Sequence, residues 1–196
     1  MSNTQAPFGF QQSSTITGAS PNYSVVHRQI SSANTNKIAR GDAVIELSTG
    51  YIDIALSTSN PILGIFDGVQ YYDTSLQKTQ WLPAWYGVTT GLSGSISAAV
   101  IVDPQGTYKV QAGPSSTTGV TLANVGLNAT FGGQGLPVSG SGISQAYLDV
   151  ATISTTNTLP FRIIGFAGVP TNDTTSAYDT VIVKINTQTY NQTTGI

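Results

Sequence analysis

No stretch of a dozen residues in this chain carries an apolar stripe at helical spacing, and 21 glycines with nine prolines interrupt it too often for long helices to propagate. Alternation is what it carries instead. In YIDIAL, Ile52, Ile54 and Leu56 fall on one side while Tyr51, Asp53 and Ala55 fall on the other. In TVIVKIN, Val181, Val183 and Ile185 oppose Ile182, Lys184 and Asn186. A period of two puts successive side chains on opposite faces, so these runs read as half-buried strands. SVVHRQI, GDAVIELS, AAVIVD, TYKVQA and LPFRIIGFAG are further strand candidates. The fold class that follows is all-β, an antiparallel β-sandwich or barrel with an extended N-terminal arm and long loops. Between AAVIVD and TYKVQA, the residues Asp103, Pro104, Gln105 and Gly106 match a type I turn, so 98 to 112 is expected to be a hairpin.

At 196 residues the chain suits a single core-bearing domain. Residues 1–22, mostly Ser, Thr, Gln, Gly and Asn with Phe8 and Phe10 as isolated apolar anchors, read as an extended arm. Residues 23–196 read as one β-rich domain. Within it, Gly113 to Gly142 loosens into a long excursion with one or two embedded strands, of the kind that in compact domains carries function or motion. The first twenty residues hold neither a basic region nor an apolar run, so no signal peptide or membrane anchor is expected.

Charge is scarce. Asp, Glu, Lys and Arg make up 8% of the residues, against about 25% in ordinary soluble domains. Polarity comes instead from Ser, Asn, Gln and 27 threonines, whose branched Cβ favours strands. With a net charge of −2 and seven scattered basic residues, the main electrostatic contribution to nucleic-acid binding is missing. A surface so weakly charged is poorly protected against association, which suits a protein that works in an assembly.

The catalytic inventory is thin. Absence of cysteine removes disulfides and thiolate metal sites, and His27 as the single histidine removes every multi-histidine ligand set. A Ser-His-Asp triad would need His27, inside a strand, and no GxSxG elbow accompanies it. Glu46 is the only glutamate, and the eight aspartates are dispersed. Asp67 with Asp73, or Asp42 with Glu46, are the available carboxylate pairs for hydrolysis, but Asp67 before Gly68 and Asp73 before Thr74 read as turn residues. No calcium loop, P-loop or dinucleotide turn occurs, and no cofactor is expected. Sequons at Asn22, Asn128, Asn172 and Asn191 arise by chance in a chain so rich in Asn and Thr.

The densest aromatic stretch runs from Asn60 to Gly87 and contains both tryptophans. Tyr71 and Tyr72 are adjacent, so in a strand one of them faces outward. Trp81 and Trp85 would share a face in an unbroken strand, although Pro83 favours a kink or an edge. With few charges nearby, rings exposed here suit a protein interface, core packing being the alternative and sugar stacking a further one. Phe8, Phe10, Tyr71, Tyr72, Trp81 and Trp85 are the candidate interface residues.

Taken in order, APFGF (Ala6 to Phe10), GDAV (Gly41 to Val44), PILGIFDGVQY (Pro61 to Tyr71), VGLNA (Val125 to Ala129), LDVATISTTNTLPFRIIGFA (Leu148 to Ala167) and VIVKIN (Val181 to Asn186) resemble a family of tailed-bacteriophage head decoration, or capsid cement, proteins. The chain departs from it at Gln11 and Gln12, where the family often has Arg-Pro, and at Thr187 and Gln188, where it often has Glu-His. The resemblance implies a β-rich, non-enzymatic dimer or trimer, made in the host cytoplasm, that binds the outer surface of the virion and bridges major capsid protein subunits. The alternative is a tail, fibre or carbohydrate-binding module that uses Trp81 and Trp85 as stacking platforms.

Overall fold

The computed structural model describes residues 3–22, 24–57, 61–114, 117–135, 140–168 and 172–192. In chain order the strands are β1 (Gln11–Thr15), β2 (Val25–Ile30), β3 (Ile38–Ala39), β4 (Ala43–Glu46), β5 (Tyr51–Ile54), β6 (Gly64–Asp73), β7 (Lys78–Leu82) and β8 (Ala84–Trp85). They continue with β9 (Leu92–Ile101), β10 (Gly106–Gly113), β11 (Asn128–Ala129), β12 (Phe131–Gly132), β13 (Tyr147–Asp149), β14 (Phe161–Phe166) and β15 (Thr180–Ile185). Helical structure among the described residues is confined to three 3-10 turns, at Leu122–Asn124, Val150–Thr152 and Thr189–Asn191. The all-β reading holds.

Strands β4, β5, β2, β9, β6 and β7 lie in that order in one sheet. Ala43 and Val44 of β4 also pair with Ile65 and Gly64 at the start of β6, which closes five strands into a small barrel and leaves β7 as an outer strand on β6. Inward residues such as Val44, Ile52, Phe66, Val69 and Val100 fill it, and the β3–β8 ribbon adds Ile38 and Trp85 to the same core. The second sheet runs β11-β14-β15-β10-β13-β12, with β1 beside β10. Only Thr130 separates β11 from β12, so this sheet curls until its two ends are joined through one residue. Its concave face holds Tyr108, Val110, Phe131, Leu148, Phe161, Ile163, Val181 and Val183, and it closes on Ala43, Ile65 and Ile101 from the outside of the barrel.

Alternation in TVIVKIN is as expected, with Val181, Val183 and Ile185 buried. In YIDIAL it stops at Ile54, where the strand ends. Ala55 turns inward to donate its N–H to the Ala43 carbonyl at 2.9 Å, and Leu56 is left exposed. The Asp103–Gly106 turn also forms, with the Gly106 N–H donating to the Asp103 carbonyl at 3.0 Å. The expected hairpin does not. β9 pairs with β2 and β6, whereas β10 pairs with β1, β13 and β15, so the turn hands the chain from one sheet to the other. Each strand has an apolar face, Ala98 and Val100 on β9 and Val110 and Ala112 on β10, and separate sheets let each face find its own core.

Residues 25–101 therefore make the barrel, while 11–15 and 106–185 make the curled sheet around it. The N-terminal segment read as an arm is extended but not free. β1 pairs antiparallel with β10 from Gln11 opposite Lys109 to Thr15 opposite Gly106. Phe10 stacks on Phe161 at a centroid distance of 4.3 Å and meets Phe131 edge-on at 5.9 Å. Gly9 permits this approach: its φ is +74°, and a Cβ there would come within 2.7 Å of Ser144. Farther out, the Asn3 amide donates to the carbonyls of Asp173 and Ala177.

Removing a fully packed ring leaves a cavity that costs about 3–5 kcal/mol. Phe10→Ala is thus expected to lower the thermal midpoint by roughly 10 °C for a chain of this size. A free arm would leave the midpoint unchanged, so a melting curve followed by circular dichroism separates the two.

Candidate functional site

The six aromatics divide between core and surface. Phe10 and Trp85 are buried, and Tyr71 is 7% exposed with its ring edge-on to Trp85 at 5.9 Å. These three are core residues rather than interface ones. Pro83 explains the split of the tryptophans, because a bend there ends β7 at Leu82 and starts β8 at Ala84, turning Trp85 inward. The Trp85 indole N–H donates to the Asn34 carbonyl at 3.1 Å. Phe8 is half-buried at the rim of a cleft of about 540 Å³ between the N-terminal segment and the barrel. Trp81 and Tyr72 remain outside, at 54% and 40% exposure.

Strand register places these two on a common face. Trp81 of β7 stands opposite Gln70 of β6, and Tyr72 opposite Thr79, so Trp81 and Tyr72 are diagonal neighbours within reach of their rings. The line from Trp81 and Gln70 continues through Ser97 of β9 and Gln29 of β2 to Tyr51 of β5, which is also exposed. Every side chain along that line is uncharged. The Trp81 ring lies over Gly68, where a Cβ would come within 2.5 Å of it, so the absent side chain provides the seat. Gly68 adjoins a bulge between β6 and β9 that spaces the strand for this fit. The result is a rigid, uncharged patch on β6 and β7 that carries Trp81 and Tyr72, with the aromatic enrichment of interface cores, while Tyr51 lies farther round the closed barrel.

None of the carboxylate pairs converges. Asp67 is not a turn residue: it lies within β6 at that bulge, and its Oδ1 accepts from the Arg40 Nε at 2.8 Å. Asp73 is a turn residue, accepting the N–H groups of Ser75 and Leu76 at 2.8 and 3.0 Å. Six residues of strand separate them by about 20 Å, beyond the reach of two groups acting on one glycosidic bond. Glu46 pairs with Arg28 at 3.4 Å. His27 is exposed, with its Nδ1 3.4 Å from the Ser97 hydroxyl. Among the described residues no cluster of His, Asp and Glu could hold a metal ion. No helix among them is long and apolar enough to cross a membrane.

Asp42 is the carboxylate the fold treats differently. It is fully buried in the turn between β3 and β4. Its Oδ2 accepts the N–H groups of Ala39 at 2.8 Å and Gly135 at 3.0 Å, and its Oδ1 accepts the Ser144 hydroxyl. The Ser144 Oγ in turn accepts the Ala146 N–H at 2.8 Å. One side chain thus joins the barrel to two segments of the curled sheet's loops. Burial pushes its carboxyl up to about 6, against the opposing pull of those hydrogen bonds. The sequons show a similar use of local polarity. Asn128 is buried, and the Asn172 amide bonds the carbonyls of Ala167 and Thr180.

The expectation that the basic residues stay scattered is corrected by strand register, which gathers Arg162, Lys184 and Lys109 on the outer face of the curled sheet. In the sequence they are outward positions of three separate runs. Comparison of the chain with family models, with curated proteins and with solved structures finds no match in any of the three.

A carboxyl raised from 3.8 to about 6 makes the folded state hold a proton that the unfolded chain releases. The stability this contributes is complete below about pH 4 and lost as pH rises through 6, a span worth about 3 kcal/mol. Asp179 is raised by burial in the same direction, so the informative quantity is the difference between two proteins. The wild-type midpoint is expected to climb from pH 7.5 to pH 5 more steeply than that of Asp42→Asn. Equal slopes in parallel melting series would show that Asp42 does not titrate in this range.

Proposed function

We propose that this protein is a virion structural protein that binds the outer surface of a phage capsid and stabilises the shell by bridging major capsid protein subunits. The observation that carries the reading is the uncharged patch of Trp81 and Tyr72 on a closed barrel. A rigid, uncharged aromatic surface loses little conformational entropy on docking and little solvation of charge. The low overall charge and the serial motif resemblance support the same reading. So does the 3-10 turn at Leu122–Asn124, which holds the Leu122 side chain out to solvent.

The mechanism is linkage. A ligand that binds only the assembled lattice adds its free energy to the closed state by mass action. Symmetric repetition multiplies a modest contact, and a copy that lets go at one point is held near by its others. The protein would self-associate as a dimer or trimer around such sites. The carbohydrate-binding alternative required two tryptophan platforms, and the burial of Trp85 leaves it with one.

Purified chain is expected to cosediment with expanded phage shells and not with unexpanded ones. Trp81→Ala should weaken that binding by about thirtyfold or more, as removal of a central aromatic anchor does, while leaving the melting curve nearly unchanged. Absence of cosedimentation with either shell would sink the capsid reading. In the same preparation, a glycan panel that perturbed Trp81 fluorescence would favour the sugar-binding module instead.

A further inference from the structure

We propose that the outer face of the curled sheet is a docking surface for an acidic protein segment, held by Arg162, Lys184 and Lys109. Arg162 and Lys184 stand directly opposite each other on β14 and β15, and Lys109 on β10 is the diagonal neighbour of Lys184. Like charges so placed repel. Strands β1, β10, β11, β14 and β15 contain no aspartate or glutamate to relieve them, although the chain has nine acidic residues. Both ion pairs among the described residues, Arg28 with Glu46 and Arg40 with Asp67, lie elsewhere.

The arginine is held in place. Its Nε donates to the Asn128 Oδ1 at 3.1 Å, and the buried Asn128 is itself anchored through its amide to the Thr156 carbonyl at 2.9 Å. That leaves the terminal guanidinium nitrogens for an incoming anion. Flanking Gln11 is an exposed neutral hydrogen-bonding group, Thr107 is buried with its hydroxyl already paired to Ser14, and Ile182 is aliphatic. Three cations fall short of the phosphate contacts a nucleic acid needs, and no ring stands among them to stack a base. The fit is to carboxylates. In an extended acidic segment, alternate side chains repeat at about 7 Å, the diagonal spacing of Lys184 and Lys109. This inference rests on strand register and on the anchoring of Arg162, and is independent of the capsid reading.

The experiment titrates the intact protein with a synthetic peptide of alternating glutamate and glycine, followed by nuclear magnetic resonance shifts. Binding is expected at low salt and should weaken at about 0.15 M. Lys184→Gln and Lys109→Gln should each weaken it about fivefold, while Lys78→Gln on β7 leaves it unchanged. Lys184→Gln should also melt no lower than wild type, since it relieves repulsion; a merely structural lysine would show the reverse. The proposal is overturned if the peptide does not bind at low salt, if both variants bind like wild type, or if single-stranded DNA of equal charge binds more tightly than the peptide.

Discussion

Asp42 is the buried polar junction between the two halves of this molecule, set beside the apolar contact of Ala43, Ile65 and Ile101 with the curled sheet. A carboxylate out of water with no cation beside it is costly, and it persists here because three donors from three separate segments converge on it. Around it the backbone is similarly tied. Arg40 donates to the Gly142 carbonyl at 2.9 Å, Ser144 to the Arg40 carbonyl at 2.8 Å, and Phe10 to the Gly41 carbonyl at 2.8 Å. Losing the carboxylate's geometry would release the β3–β4 turn, the end of the long excursion and the N-terminal strand at once.

That junction explains why the N-terminal strand can travel so far from its sequence neighbours. β1 is separated from β10 by the entire barrel, and the chain spends residues 25–101 closing that barrel before returning. Closure has a second effect. Five strands that share their hydrogen bonds in a ring have no free edge among themselves, so the patch of Trp81, Tyr72 and Gln70 sits on a stiff wall, and the uncharged line goes on round the barrel through Ser97 and Gln29 to Tyr51. β7 extends it outward on one side, and Gly68 lets the indole lie down on it. Rigidity there comes from topology; recognition comes from the side chains that topology turns outward.

The two outer faces differ in chemistry. One is neutral and aromatic, the other cationic and aliphatic. Since charged residues are so few, the placing of three basic groups together without a counter-charge stands out against the economy of the rest, where Arg28, Arg40 and Asp73 each have a local partner. Two unlike faces on opposite sheets suit a protein that contacts more than one neighbour, a pattern consistent with the assembly role proposed above.

The strand content and the alternation at Val181, Val183 and Ile185 were legible in the sequence, because period two is a local property of successive side chains. Composition likewise determined the absence of thiolate and multi-histidine chemistry. Local signals failed where a residue's fate depends on a distant partner. The Asp103–Gly106 turn was readable, but which strands it joined was not, since reversal is decided by four residues and pairing by register across the chain. Phe10 read as a loose anchor because Phe161, which stacks on it, is 151 positions away. Trp85 and Trp81 differ only by a bend at Pro83, and Asp42 and Asp67 differ only by what surrounds them. The sequence by itself determined an uncharged, all-β chain with rings to spare; only the tertiary structure decided which rings and charges face water, because burial and register are set by contacts between segments that no local pattern encodes.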